Sequence, residues 1–461
     1  MKERESFSSR FAFIIVSVSC AIGLGNVWLM PFRVGQFGGA LFLLLVIGFI
    51  FMLSVPILLI EYSIGRGSGQ SAITAFQKLT PKGKYNFLAY TSMAGNYLLL
   101  MFFTAIVGII LMYVWRAITG ELIGASPDQV AAAYGAVNSS AGLMYGLTAA
   151  VMLMGLGCSA AGLKGGVERV GKYMMGAFFV VALILIVRAL TLPGAMEGVR
   201  FIMIPNLDGM REHGVMFVLH MALGQALFSL SVGIGGMLIF GSYFGKERRL
   251  FGDALTVGIL DVTVIVVMLF VIFPAAFAFG IPAAAGEGLL FLTMPNVLNA
   301  MPASYVWSLI FYFGLFFVAF STVVAILEAC IANCMDKFGW SRSKTVLINI
   351  AVFAILILPG TLGRNLWAPA PGTLILGQFP HWGAFIATML TEILLPIGAF
   401  SMLLYVTRSK GAWGWDNFMA NANMGKTGMK FPQGLRFYMS YILPAVVAFV
   451  FVWGNLQRWV L

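Results

Sequence analysis

Runs of about 20 apolar residues, each long enough to cross a hydrocarbon layer, recur from one end of this 461-residue chain to the other. They lie near residues 10–35, 38–66, 86–119, 141–160, 166–191, 214–242, 253–280, 305–337, 343–360, 379–407 and 434–458, eleven in all. With 60% hydrophobic and only 10% charged residues, no water-soluble fold can hide that much apolar surface, so a lipid bilayer is the partner the chain is built for. Inside lipid every backbone polar group must be satisfied within the protein, and eleven such runs therefore predict an all-α membrane protein.

A formal net charge of +11 would suit nucleic acid only if the basic residues formed a patch. Instead they alternate between connectors. Lys2/Arg4/Arg10, Arg66/Lys78/Lys82/Lys84, Lys164/Arg169/Lys172, Lys246/Arg248/Arg249, Lys337/Arg342/Lys344 and Arg408/Lys410/Lys426/Lys430/Arg436 fall on one side of the membrane. That is the positive-inside pattern; it predicts a cytoplasmic N-terminus, an extracytoplasmic C-terminus and no nucleic-acid partner. The opening MKERESFSSR leads into an apolar run with no small-residue cleavage site, so no signal peptide is expected. Cys20, Cys158, Cys330 and Cys334, with His213, His220 and His381, show no disulfide or zinc spacing. No paired histidines and carboxylates are spaced for a membrane-embedded enzyme.

Glycine interrupts two of the runs halfway. The first reads Ala21-Ile-Gly23-Leu-Gly25-Asn26, and the sixth reads Ser229-Leu-Ser231-Val-Gly233-Ile-Gly235-Gly236. Glycine in a membrane helix often serves close packing alone. Here the two interruptions occupy corresponding places in two five-helix halves and carry polar side chains, the pattern that marks a transporter binding site. Between the seventh and eighth runs, the apolar stretch GLLFLTMPNVL within 281–304 is too short to span and predicts a re-entrant or lid segment.

At these residues the chain resembles the neurotransmitter:sodium symporter family, the transporters of the LeuT fold. GLGNVW at 23–28 followed by Pro31 is similar to that family's first-helix signature. The likeness continues through FGGA (37–40), VPILLIEYSIGR (55–66), GGVERVGKYMM (165–175), LPGAMEGVRF (192–201), GQALFSLSVGIGG (224–236) and IFPAAFAFG (272–280). It implies two inverted repeats, 1–191 (helices 1–5) and 214–407 (helices 6–10), joined by an extracellular connector at 192–213. A cytoplasmic loop and an eleventh helix over 408–461 complete the chain, as in bacterial members with eleven helices, which sit in the inner membrane. Helices 1 and 6 unwind at the bilayer midplane.

The resemblance further implies a sodium-coupled symporter of a small zwitterionic solute, a neutral amino acid above all. A non-standard amine, a sulfonate or betaine-like solute, or a non-transporting sensor of the same fold are the alternatives. Unwound helix ends offer N–H groups to a carboxylate and free carbonyls to an ammonium or a hard cation. The amides of Leu24 and Gly25 are expected to hold the solute carboxylate, and Ala21, Phe228, Ser229 and Ser231 its ammonium. Leu99, Phe103, Phe228, Ile234, Thr322 and Ile326 line the pocket. One sodium site maps onto Ala21, Asn26, Ser229 and Asp261, a second onto Ser19, Ile22, Val318, Ser321 and Thr322. Asp261 stands where chloride-dependent relatives usually have asparagine, and Val46 where they have a chloride-binding tyrosine, so no chloride is expected. Arg4 and Asp336, with Tyr243 nearby, match a cytoplasmic gate; Glu61 matches a buried structural carboxylate, and Glu328 and Glu392 have no assigned role. Leu29 replaces the family's outer-gate arginine and no acidic partner is evident in the tenth helix, so an apolar outer gate is expected. Phe103 replaces a tyrosine that would touch the solute carboxylate. Oligomeric state is not legible in the sequence.

Overall fold

The computed structural model describes residues 5–23, 25–280, 286–370 and 372–459. Arg4 and Leu24, singled out above, lie outside them. Among the described residues the chain is helical, and its extended pairings are three isolated β-bridges.

The first apolar run forms α1 (Arg10–Ala21) and α2 (Gly25–Gln36), bent by 51° at their junction. The rest follow as α3 (Ala40–Ser68), α4 (Phe87–Thr119), α5 (Ala141–Ala160), α6 (Leu163–Leu190), α7 (Val215–Ser229), α8 (Leu238–Ser242), α9 (Phe251–Ala278), α10 (Ser304–Phe338), α11 (Arg342–Leu362), α12 (Trp382–Thr407) and α13 (Gln433–Trp459). Nine of these helices are individually long and apolar enough to cross a membrane, and the bent pair α1–α2 makes a tenth span. The sixth expected span is different in kind. α7 has 15 residues and the chain then turns repeatedly through 230–237 before α8, so no single rod covers 214–242.

Burial separates inner from outer helices. The most apolar stretches of α4 and α10 are 72% buried, against 28% for α6 and 33% for α13, which places α4 and α10 at the centre and leaves α6 and α13 facing lipid. In the connector 286–299, Leu289, Leu290, Phe291, Met294 and Val297 are buried. Tyr113 of α4 and Tyr312 of α10 donate to the carbonyls of Phe291 and Leu290, fixing this segment onto the bundle.

Candidate functional site

α1 stops at Ala21 because Ile22 leaves helical space, at φ −79° and ψ 94°. A helix end leaves its last carbonyls without partners in the helix, and here side chains from elsewhere in the chain collect them. Thr322 Oγ1 of α10 lies 2.8 Å from the Ser19 carbonyl and 3.1 Å from that of Ile22, and Ser231 Oγ donates to the Cys20 carbonyl at 2.9 Å. The glycines of the break are fixed by their neighbours. A Cβ on Gly23 would stand 2.9 Å from Thr322 Oγ1, and one on Gly25 would stand 2.9 Å from the Phe228 ring.

The second break needs backbone that few side chains tolerate. Gly233 and Gly235 have φ of 101° and 64°, and Ser231 adopts φ 51°. Glu61 of α3, fully buried, binds the amides that unwinding releases. One oxygen accepts from Gly233 at 2.7 Å and Gly235 at 3.1 Å, the other from Met237 at 3.1 Å. Asn96 of α4 donates to the Ile234 carbonyl at 3.1 Å. The structural role expected of Glu61 is therefore specific: it replaces the helix's own hydrogen bonds through the turn.

Two clusters of oxygen atoms flank these breaks. In the first, Asn26 Nδ2 donates to Asp261 Oδ1 at 2.6 Å, while Ser229 Oγ lies 2.6 Å from Asp261 Oδ2 and 3.1 Å from Asn26 Oδ1. All three side chains are buried. Ala21, the fourth residue of this expected set, is the last residue of α1. In the second cluster Thr322 Oγ1 reaches not only Ser19 and Ile22 but also the Val318 carbonyl at 3.1 Å, and Ser321 Oγ donates to Val318 at 2.9 Å. A hydroxyl carries one hydrogen. Thr322 can satisfy one of three carbonyls at a time, and Ser229 one of its two acceptors. Oxygen-rich, donor-poor clusters of this kind match the chemistry of a hard cation.

The expected pocket residues Leu99, Phe103, Phe228, Ile234, Thr322 and Ile326 are all buried. A cavity of about 360 Å³ opens toward the end of the bundle where α13 terminates, and Phe103 and Phe228 form part of its wall. Leu99, Ile234, Thr322 and Ile326 do not line it, and the Phe228 ring packs on Gly25. The aromatic pair thus stands between this cavity and the two oxygen clusters.

The wall of the cavity is not wholly apolar. Leu29 does line it, but so do Arg33, Glu392 and Arg458. Arg33 approaches Glu392 to 3.7 Å and Arg458 binds Glu392 at 2.5 Å. At the opposite end, Tyr243 donates to Glu328 at 2.7 Å, and Arg342 forks onto the same carboxylate at 2.7 and 3.0 Å. Asp336 accepts from the Ser71 amide at 2.7 Å. Of the two glutamates left without a role in the sequence, Glu392 meets two arginines and Glu328 meets Arg342 and Tyr243. The signal that was available is their position inside apolar helices, where an ionisable residue is functional by default.

The sodium:neurotransmitter symporter family matches residues 4–140 and 132–458. An uncharacterised sodium-dependent transporter of Haemophilus influenzae is 30% identical over 378 residues, covering 79% of this chain and 82% of that protein. A second such transporter, from Bacillus subtilis, is 30% identical over 349 residues, covering 74% and 76%. Among solved structures, MhsT in complex with L-phenylalanine superposes with a TM-score of 0.89 at 30% identity, covering 98% of this chain and all of that one.

Proposed function

This chain belongs to the sodium:neurotransmitter symporter family, and on that premise we propose that it imports a neutral, apolar L-amino acid together with two sodium ions, without chloride. Its relatives are sodium-dependent transporters, and its LeuT fold is that of a carrier rather than an enzyme. The observation that carries the reading is the oxygen surplus at both chain breaks. Three carbonyls converge on the single hydroxyl hydrogen of Thr322, and a buried carboxylate sits beside Asn26 and Ser229.

The first cluster, with the Ala21 carbonyl, takes one sodium ion; the second, with Ser321, takes the other. The amides at 24 and 25 hold the solute carboxylate at the positive end of α2. Leu99, Phe103, Ile234 and Ile326 then surround an apolar side chain, in keeping with the phenylalanine named for MhsT. Asp261 supplies the negative charge that a bound chloride would otherwise bring, and Val46, fully buried, offers no donor to an anion. Residues 1–191 and 214–407 act as the two inverted halves of an alternating-access carrier. The positive-inside pattern supports a cytoplasmic Tyr243–Glu328–Arg342 end and an external Arg33–Glu392–Arg458 end.

Each charge moved through 100 mV is worth about 2.3 kcal/mol. Two sodium ions with a net neutral solute therefore supply about 4.6 kcal/mol from voltage alone, which is roughly 10³-fold accumulation at 1.4 kcal/mol per tenfold. The test is uptake of labelled L-phenylalanine and L-leucine into proteoliposomes under an inward sodium gradient, alongside thermal stabilisation by amino acids in sodium and in potassium. Sodium-dependent uptake and stabilisation are expected. A protein that no amino acid stabilises in sodium is not this carrier.

A further inference from the structure

The outer cavity is tied together by ionisable side chains from four separate helices. Glu392 of α12 is 2% exposed, Arg33 of α2 is 4% exposed and His220 of α7 is fully buried. Arg458 comes from the last turn of α13. Arg458 Nη1 lies 2.5 Å from Glu392 Oε2, His220 Nε2 lies 3.6 Å from the same oxygen, and Arg33 Nη2 lies 3.7 Å from Oε1. A buried carboxylate that loses such partners is left with an uncompensated charge, so α2, α12 and α13 are held together here as a unit.

The chain of contacts does not end at Arg33. Its Nη1 donates to Gln225 Oε1 at 3.1 Å and to the Met221 carbonyl at 3.3 Å. Gln225 Nε2 in turn donates to the carbonyl of Gly25 at 2.9 Å. That carbonyl belongs to the Gly25–Asn26 peptide, at the break in the first span, and Asn26 is a member of the first oxygen cluster. One relay therefore runs from the end of the eleventh span, through Glu392, Arg33 and Gln225, to the backbone that carries a sodium ligand.

We propose that Arg33, Glu392 and Arg458 form the outer gate of this carrier, about one helical turn beyond Leu29, and that the relay through Gln225 makes closing this gate and ordering the Gly25–Asn26 peptide a single event. The inference rests on the reading as a sodium-coupled carrier. When α12 swings away from α2, Arg33 loses its counter-ion, Gln225 loses the guanidinium that orients it, and the Gly25 carbonyl is released. None of the four relay residues needs to touch the solute; they are positioning residues that act through Gly25. The eleventh span, outside both expected repeats, then takes part in gating through Arg458.

The test uses the full-length protein. Cys20, Cys330 and Cys334 are buried, so Cys158→Ser removes the remaining native thiol, and Thr388→Cys places a reporter on the cavity wall. Labelling by a membrane-impermeant methanethiosulfonate in saturating sodium reads the open mouth. A sodium titration of thermal stability reads the cluster. Glu392→Gln should label at least about tenfold faster, since it removes a buried charge partner, and should need several-fold more sodium for half-maximal stabilisation. Arg458→Gln should move both readings the same way by less, because the Arg33–Glu392 contact remains. Unchanged labelling overturns the gate; faster labelling with an unmoved sodium midpoint overturns the relay. If Glu392→Gln does not fold, the Arg458→Gln arm decides by the same criteria. Absence of any sodium response in the parent protein instead overturns the carrier reading, and the labelling comparison still judges the gate.

Discussion

Replacing Asp261 with asparagine isolates the one full negative charge in the first oxygen cluster. The carboxylate lies 2.6 Å from both the Asn26 amide nitrogen and the Ser229 hydroxyl, so an ion bound among these groups sits within about 4 Å of the charge. At that separation and an effective dielectric constant of 20, the attraction is about 4 kcal/mol as an upper bound. Asparagine keeps one oxygen ligand and spares the protein an isolated buried charge when no ion is present. Taking about half of the bound, ~2 kcal/mol, the sodium concentration for half-maximal stabilisation should rise about 30-fold at 1.4 kcal/mol per tenfold. Thermal melts of the purified protein across a sodium series at constant ionic strength measure this. The sodium-free variant should melt no lower than the parent, because the lone carboxylate has gone. An unmoved sodium midpoint would refute the assignment of Asp261 to the ion site.

Three further outcomes are expected. For the parent protein, replacing chloride by gluconate should leave sodium-driven uptake unchanged, and a collapse of uptake would remove the role given to Asp261 and Val46. Thr322→Val keeps the side-chain shape but takes away the hydroxyl that the Ser19 and Ile22 carbonyls share. It should cost about 1–3 kcal/mol of stability, read as a lower melting temperature, and reduce the steepness of the sodium dependence of uptake toward that of one ion. Gly398→Ala would place a Cβ 1.8 Å from the Gly233 carbonyl oxygen; overpacking at such a contact costs about 1–3 kcal/mol or more, and a detergent melt should show the loss.

The parts of this molecule that were legible in its sequence are those whose cause is local. Glycines at 23, 25, 233 and 235 mark the two breaks because no other residue permits that backbone or that proximity. Asn26, Ser229 and Asp261 were expected together, and the structure hydrogen-bonds them to one another. The Arg33–Glu392–Arg458 and Arg342–Glu328–Tyr243 networks were not foreseen, because their members lie on different helices and are far apart in sequence. No spacing rule connects residue 33 to residues 392 and 458; only the long side chains of Arg33 and Arg458 meeting at Glu392 do. The family pattern also drew attention to Leu29, and so away from the arginine one turn further on. The closure of Phe228 over Gly25 was equally out of reach, since it depends on a side-chain rotamer rather than on residue type.

The cluster around Thr322 has one more implication. Its acceptors come from two separate elements, Ser19 and Ile22 from the first span and Val318 from α10, and partial negative charges at such close quarters push against one another. On the reading proposed above, a monovalent cation bound among these oxygens would tie the first span to α10, and its departure would loosen that tie.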